Sequence, residues 1–258
     1  MGTFPTLGLD SDRWAPGYRE WLPDPGVRHA IACLWVAVTA PDARASVAAV
    51  MPDGCTDLIW QYGRGAFVAG PDTGPAPAEM APGTIFVGAR FRPGAGGPAL
   101  GWPLADLRDQ RIDLAELQPR LSDRLPAELT PDDALMTVVT LSAELVASAP
   151  PDMLVVTATR LLRSRQACVA DLGATLAVSE RQLRRRFDLA AGYGPKTMQR
   201  ILRFRRVLDQ MAAAPLGDDL AGLALRTGYA DQAHLTRETT RLAGLPPAAL
   251  ARSLVSRR

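Results

Sequence analysis

Lysine is almost missing from this sequence, because 28 of the 29 basic residues are arginines and only Lys196 is a lysine. The three cysteines, Cys33, Cys55 and Cys168, lack the even number and close spacing of a disulfide framework, which fits a reducing cytosol. Close Cys or His pairs typical of zinc sites are also absent. These absences argue against a disulfide scaffold and against a zinc-binding class of protein.

Long hydrophobic runs are missing too. No uncharged apolar stretch reaches the roughly 18 residues of a membrane-spanning helix, so we expect no membrane partner. The opening "MGTFPTLGLDSDRW" has no basic segment followed by an apolar run, so we expect no signal peptide. Together these features predict a cytoplasmic location.

The net charge of +2 is unevenly distributed along the chain. Residues 1–159 hold 11 arginines against 19 acids, a balance of −8, whereas residues 160–258 hold 18 basic residues against 8 acids, a balance of +10. A basic final third indicates a module with a polyanionic partner.

Patterning divides the chain into a β-rich part and a helical part. Short apolar runs between Pro/Gly breakers predict strands at 30–38, 46–51, 56–62, 66–70 and 84–91. Helix-start signals occur at Thr130 and Pro131, and "APP" at 149–151 marks a boundary. We predict an α+β protein with a small β-barrel or sandwich-like domain (1–115), a helical linker (116–150) and an all-α domain (151–258).

The last third contains an internal repeat. "QLRRRFDLAAGYGP" (182–195) aligns with "HLTRETTRLAGLPP" (234–247) at a constant offset of 52, and a short apolar segment precedes each copy. Each unit is a short helix, a turn and a longer helix that ends at glycine. This pattern predicts two helix-turn-helix units, joined by a long helix that begins at Pro195.

The first unit separates its apolar and basic residues. Ser179 and Gln182 form a predicted capping box, and Leu183 and Phe187 share one helix face. Arginines can fork onto guanine, so we predict that the opposite face reads DNA bases through Arg181, Arg184 and Arg185. A merely solvated arginine face is the alternative reading.

The second unit presents a less charged face, for which we predict base contacts by Gln232, Thr236 and Arg237. His234 is equally consistent with a structural role. Phosphate contacts are predicted for Ser179, Lys196 and Arg203.

The two units resemble the DNA-binding domain of the AraC/XylS transcription regulators over roughly residues 152–252, with "GYADQAHLTRE…AGLPP" as the most specific string. The resemblance implies that both recognition helices enter successive major grooves. The family usually has Phe where Thr239 stands and a small residue where Arg206 stands. "MPDGCTDLIW", "VAGP" and "VGARFRPGA" resemble an uncharacterised N-terminal domain of one branch, for which a sensor role is implied by analogy.

The N-terminal half offers two ideas about a ligand. Trp35, Trp60, Arg90 and Arg92 are the predicted lining of a pocket for a small aromatic or carboxylated molecule, with core tryptophans as the alternative. A His/Cys/Asp metal site around Asp53, Cys55 and Asp57 is conceivable, but a turn with a buried thiol explains the same residues.

We therefore expect a sequence-specific DNA-binding transcription regulator, responsive to a ligand through its N-terminal domain, and not an enzyme. The alternative is a DNA-binding protein whose N-terminal domain carries a methyl-accepting or redox-active cysteine. The expected partners are double-stranded DNA and an unidentified small-molecule effector. No cofactor or metal is expected, and RNA polymerase contact and a homodimer stay open.

Overall fold

The computed structural model describes residues 12–213 and 219–255. Within them the chain forms eight β-strands, which all lie in the first half: β1 (Gly17–Trp21), β2 (Ile31–Val38), β3 (Ser46–Val50), β4 (Thr56–Gln61), β5 (Gly65–Ala69), β6 (Ala76–Met80), β7 (Ile85–Phe91) and β8 (Arg111–Asp113). The five strands predicted from apolar runs are confirmed. The other three, β1, β6 and β8, lack such runs.

Eleven α-helices occupy the rest of the described chain: α1 (Gly96–Leu100), α2 (Leu114–Leu117), α3 (Pro119–Ser122), α4 (Pro131–Ser148), α5 (Met153–Leu162), α6 (Leu172–Thr175), α7 (Glu180–Ala191), α8 (Pro195–Ala213), α9 (Leu220–Thr227), α10 (Gln232–Ala243) and α11 (Pro247–Val255). The predicted start of α4 is confirmed, because the side chain of Thr130 accepts a hydrogen bond from the backbone N–H of Asp133.

The strands form two antiparallel sheets. Six of them pair in the order β1-β2-β7-β4-β5-β8, and β3 pairs with β6. Because side chains alternate across a strand, the large sheet has two apolar faces. One face carries Leu58, Trp60 and Val87 and packs against α4, whereas the other carries Cys33, Trp35 and Ile59.

Helix α4 lies in the segment predicted as a linker, and it completes the core of the β domain through Leu135, Val138 and Leu141. No single described helix is long and apolar enough to cross a membrane. Helices α4 and α5 reach that length and composition only as a pair, bent by 107°.

A second core unites α5 to α11. Helix α8 runs through it and buries one side of its surface, including Ile201, Phe204 and Val207, against both repeat units. The predicted α+β organisation, a β-sheet domain followed by an all-α domain, is confirmed.

The two domains are joined by backbone hydrogen bonds at the C-terminal end of α7. The N–H groups of Gly94, Leu104 and Ala105 donate to the carbonyls of Ala190 (3.1 Å), Leu189 (2.9 Å) and Asp188 (3.0 Å). The approach is close, since a Cβ on Gly97 would lie 2.5 Å from the Leu189 carbonyl oxygen. The β domain therefore holds the last turn of α7 in place.

Candidate nucleic-acid interface

Helix α7 has the two-faced surface predicted for the first unit. Leu183 and Phe187 are buried, whereas Arg181, Arg184 and Arg185 are exposed. The Ser179 hydroxyl oxygen accepts a hydrogen bond from the backbone N–H of Gln182 at 3.2 Å, which starts the helix. The return bond from the Gln182 side chain, which a full capping box requires, is absent from the described residues.

An open cavity of about 600 Å³ lies along the first turns of α7. Its lining includes Ser179, Arg181 and Arg185 from the predicted set, and also Gln182 and Arg186, which the sequence analysis did not single out. Arg184 is directed differently, because its guanidinium lies 4.0 Å from the Asp188 carboxylate one turn later. The cavity therefore groups two of the three predicted base-reading arginines.

Asp152 fixes α7 against the preceding helix. One of its carboxylate oxygens accepts from the backbone N–H groups of Leu154 and Val155 at the start of α5, and Arg186 binds both oxygens at 2.6 Å. The backbone N–H of Asp152 also donates to the Gly94 carbonyl at 2.8 Å. This carboxylate ties α5, α7 and the β domain together at the edge of the cavity.

In the second unit α10 begins at Asp231, whose side chain accepts a 2.6 Å hydrogen bond from the His234 N–H. Gln232 and Arg237 are exposed and Thr236 is half-buried. The His234 ring stands edge-on to Tyr229 with centroids 5.2 Å apart, which gives this histidine a structural contact.

The two units are connected directly. Arg200 on α8 and Glu238 on α10 form a two-point ion pair at 2.6 and 2.9 Å, and both side chains are mostly buried. Burial raises the pKa of Glu238, but the Arg200 guanidinium outweighs it and leaves that pKa below its ordinary value. The pair fixes the orientation of α10 relative to α8.

The two positions that depart from the resembled family leave polar atoms without partners. Thr239 is fully buried, and its hydroxyl makes no hydrogen bond within the described part of the chain. The same holds for two guanidinium nitrogens of Arg206, whose pKa is lowered by burial and by the neighbouring Arg203. Each unpaired group weakens the second unit.

The residues predicted to contact phosphate occupy three different settings. Lys196 is exposed in the first turn of α8. Ser179 caps α7, so its oxygen is engaged but its proton is free to be donated. Arg203 lies over the Tyr229 ring, 5.3 Å from the centroid, beside the turn that precedes α10.

The structure corrects the predicted grouping of Trp35, Trp60, Arg90 and Arg92. Trp35 and Trp60 lie on opposite faces of the large sheet, because Trp35 aligns with Gly88 and Trp60 with the next residue of β7. Trp60 is completely buried and donates to the Pro126 carbonyl. The strand period therefore separates the two rings.

The two arginines are also engaged. Arg90 binds Asp57 at 3.1 Å and Asp53 at 3.4 Å, and the Trp35 indole N–H donates to Asp57 at 2.7 Å. Arg92 donates to the Arg28 carbonyl at 2.8 Å. These contacts account for all four side chains within the β domain.

The thiols of the β domain are buried. Asp53 accepts from the Cys55 N–H at 2.8 Å in a turn where Gly54 has φ of +86°. Burial raises the pKa of Cys33 to about 12 and that of Cys55 well above its ordinary value, which disfavours the reactive thiolate. Among the described residues, no group of three metal-ligating side chains lies together.

The β domain also reaches the second unit. A Cβ on Gly244, which follows α10, would lie 3.4 Å from the Pro75 side chain, and one on Gly74 would lie 3.8 Å from the Arg241 carbonyl. Pro71 packs against Gly192, which follows α7. The loop of residues 71–75 therefore touches the C-terminal ends of both recognition helices.

Comparison with known proteins agrees with this architecture. The sequence profile of the "Helix-turn-helix domain" matches residues 172–253, and that of the "Domain of unknown function (DUF6597)" matches residues 19–113. No curated protein matches the chain. Two solved structures of ToxT from Vibrio cholerae, from strain O395 and in a P21 crystal form, are 10% and 9% identical, with TM-scores of 0.44 and 0.45. Each aligns over 85% of this chain and over 96% and 98% of its own.

Two helix-turn-helix units in one domain define a DNA-binding transcription regulator. The protein combines an AraC-type helix-turn-helix domain with an N-terminal domain of the DUF6597 type.

Proposed function

We propose that this protein binds specific duplex DNA sequences through α7 and α10 and that its N-terminal domain makes this binding ligand-responsive. The observation that carries the proposal is the arrangement of the two recognition helices. Each buries its apolar side in one shared core and leaves the residues of its first two turns exposed. In helix-turn-helix proteins these turns contact base edges in the major groove.

In this proposal Arg181 and Arg185 form the main base-reading surface, with Arg184 at its edge because Asp188 draws its guanidinium away. The basic set outnumbers nearby acids, which supports affinity for a polyanion. Gln232, Thr236 and Arg237 form the smaller surface of α10. Its neutral side chains favour base discrimination over phosphate attraction.

Phosphate contacts in the proposal come from Ser179, Lys196 and Arg203, which flank the two surfaces. A cytoplasmic location and contact with RNA polymerase belong to the same proposal and rest on the family resemblance. Ligand response is supported by the contacts of the β domain with the ends of α7 and α10, through which a change in the first domain reaches both units.

Selection of bound sequences from random duplex DNA tests the proposal. We expect a motif with two half-sites about one helical turn apart, or roughly 10 base pairs. Arg185→Ala should relax the motif at one position, at a cost of about 1–3 kcal/mol for the preferred base. Lys196→Ala should weaken all sequences alike and lower the salt dependence by about one counterion.

Arg120→Ala provides the matched control, since Arg120 is an exposed arginine of the β domain. Recovery of random sequence by the wild-type chain would refute sequence-specific binding. An unchanged motif for Arg185→Ala would refute the assignment of that residue.

A further inference from the structure

A second cavity, of about 220 Å³, lies where the β domain meets both helix-turn-helix units. Thr73, Arg108 and Asp109 line it from the β domain. Tyr193 follows α7, and Arg241 lies at the end of α10. The cavity therefore touches all three bodies whose relative positions determine how DNA is gripped.

The cavity has an excess of positive charge. Both carboxylate oxygens of Asp109 are occupied by Thr73, through its backbone N–H at 2.6 Å and its hydroxyl at 2.8 Å. Asp109 adopts a left-handed φ of +58°, which is uncommon for a residue with a side chain and shows that the loop is held in this shape. The one acid in the lining is thus already satisfied.

Two guanidinium groups remain without partners. Arg108 and Arg241 make no hydrogen bond or ion pair with any residue in 12–213 or 219–255, whereas Arg200, which also lines the cavity, is neutralised by Glu238. Arg108 belongs to the β domain and Arg241 to the second unit. An anion between them would join the two domains.

A buried hydroxyl also lacks a partner in this lining. Tyr193 is only 2% exposed, and its hydroxyl makes no hydrogen bond within the described part of the chain. An unsatisfied buried hydroxyl costs about 1–3 kcal/mol, so its retention calls for an explanation. Burial and the nearby carboxylates raise the pKa of Tyr193, which keeps the hydroxyl protonated and able to donate.

We propose that this cavity binds a small organic molecule with a carboxylate group, held between Arg108 and Arg241 and receiving a hydrogen bond from Tyr193. At about 30 Å³ per water molecule, the cavity has space for roughly seven waters, which suits an acid of the size of benzoate. The inference rests on the proposed function, for which this molecule is the effector.

The consequence for DNA binding follows from the existing contacts. The first unit is already tied to the β domain by backbone hydrogen bonds at the end of α7. The second unit touches it only through van der Waals contacts around Gly74 and Gly244. A bridging anion adds charged hydrogen bonds at this weaker contact and fixes α10 relative to α7.

Calorimetric titration of the full chain with benzoate, acetate and inorganic phosphate, at constant ionic strength in chloride, tests the inference. We expect one benzoate per chain, bound more tightly than acetate or phosphate. Arg108→Gln and Arg241→Gln should each weaken benzoate at least tenfold, and Tyr193→Phe severalfold. Arg120→Gln, which removes an exposed arginine outside the cavity, should leave the affinity unchanged.

No benzoate binding, tighter binding of phosphate, or equal affinities in the wild-type chain and the cavity variants would each overturn the inference. Gel-shift titration without benzoate separates this failure from that of the proposed function. DNA binding by the wild-type chain with no benzoate binding refutes the effector site alone, whereas absence of DNA binding refutes the regulator. Far-UV circular dichroism verifies that each variant is folded.

Discussion

Replacing Thr239 with valine is expected to stabilise the protein. Thr239 lies on the buried side of α10 with no exposed surface, and its hydroxyl has no hydrogen-bond partner among the described residues. Valine has nearly the same shape and a similar helix propensity, so the substitution changes little besides the hydroxyl. Removing an unsatisfied buried hydroxyl should raise the free energy of unfolding by about 1 kcal/mol or more.

Thermal denaturation followed by circular dichroism measures this change. For a chain of this size, each kcal/mol corresponds to roughly 2–4 °C in Tm. Thr227→Val is the matched control, because Thr227 is equally buried but its hydroxyl donates to the Leu223 carbonyl at 2.6 Å. Valine there should lower the free energy of unfolding by about 0.5–1.5 kcal/mol.

The reasoning depends on opposite signs at two threonines of equal burial. A lower Tm for Thr239→Val would mean that the hydroxyl is satisfied and the argument from the unpaired atom is wrong. Equal shifts for both variants would show that side-chain shape, and not hydrogen bonding, determines the stability of the second unit.

Three further substitutions test individual contacts. Glu238→Gln should lower the free energy of unfolding at neutral pH, and the deficit should shrink as urea titrations move below about pH 4.5, because a carboxyl with a lowered folded pKa stabilises only where it is ionised. Gly192→Ala should cost more than 1 kcal/mol in the same titrations, because φ is +81° and a Cβ would collide with the β domain, whereas Gly194→Ala, with open space around it, should be nearly neutral. Asp152→Ala should lower Tm more than Asp152→Ser, because serine retains the cap of α5, worth about 1 kcal/mol, and both lose the ion pair with α7.

The helical half could be predicted from the sequence because its signals are local. The cap at Ser179, the proline that starts α8 and the glycines that follow α7 and α10 each act within one turn. The 52-residue repeat then set both units in register. These signals require no knowledge of distant contacts, so boundaries and exposed faces were predictable to within a few residues.

The N-terminal half was less predictable because its strands pair over long distances. β6 begins with Ala76 and Pro77 in a stretch that reads as a turn, and it is a strand only because β3 pairs with it. The predicted pocket failed for a related reason. Trp35 and Trp60 both belong to apolar strands, and only the register with β7 shows that they point to opposite faces.

The placement of the β domain bears on how the two recognition helices cooperate. Their first turns are exposed, whereas their last turns contact one loop, residues 71–75, and the segment around Leu104. Groove spacing on DNA is fixed, so affinity depends on the separation and relative orientation of the two helices. The Arg200–Glu238 pair sets part of this orientation inside the helical domain, and the loop adds a second constraint from outside. A change in the β domain can therefore alter DNA affinity without moving any base-reading side chain relative to its own helix.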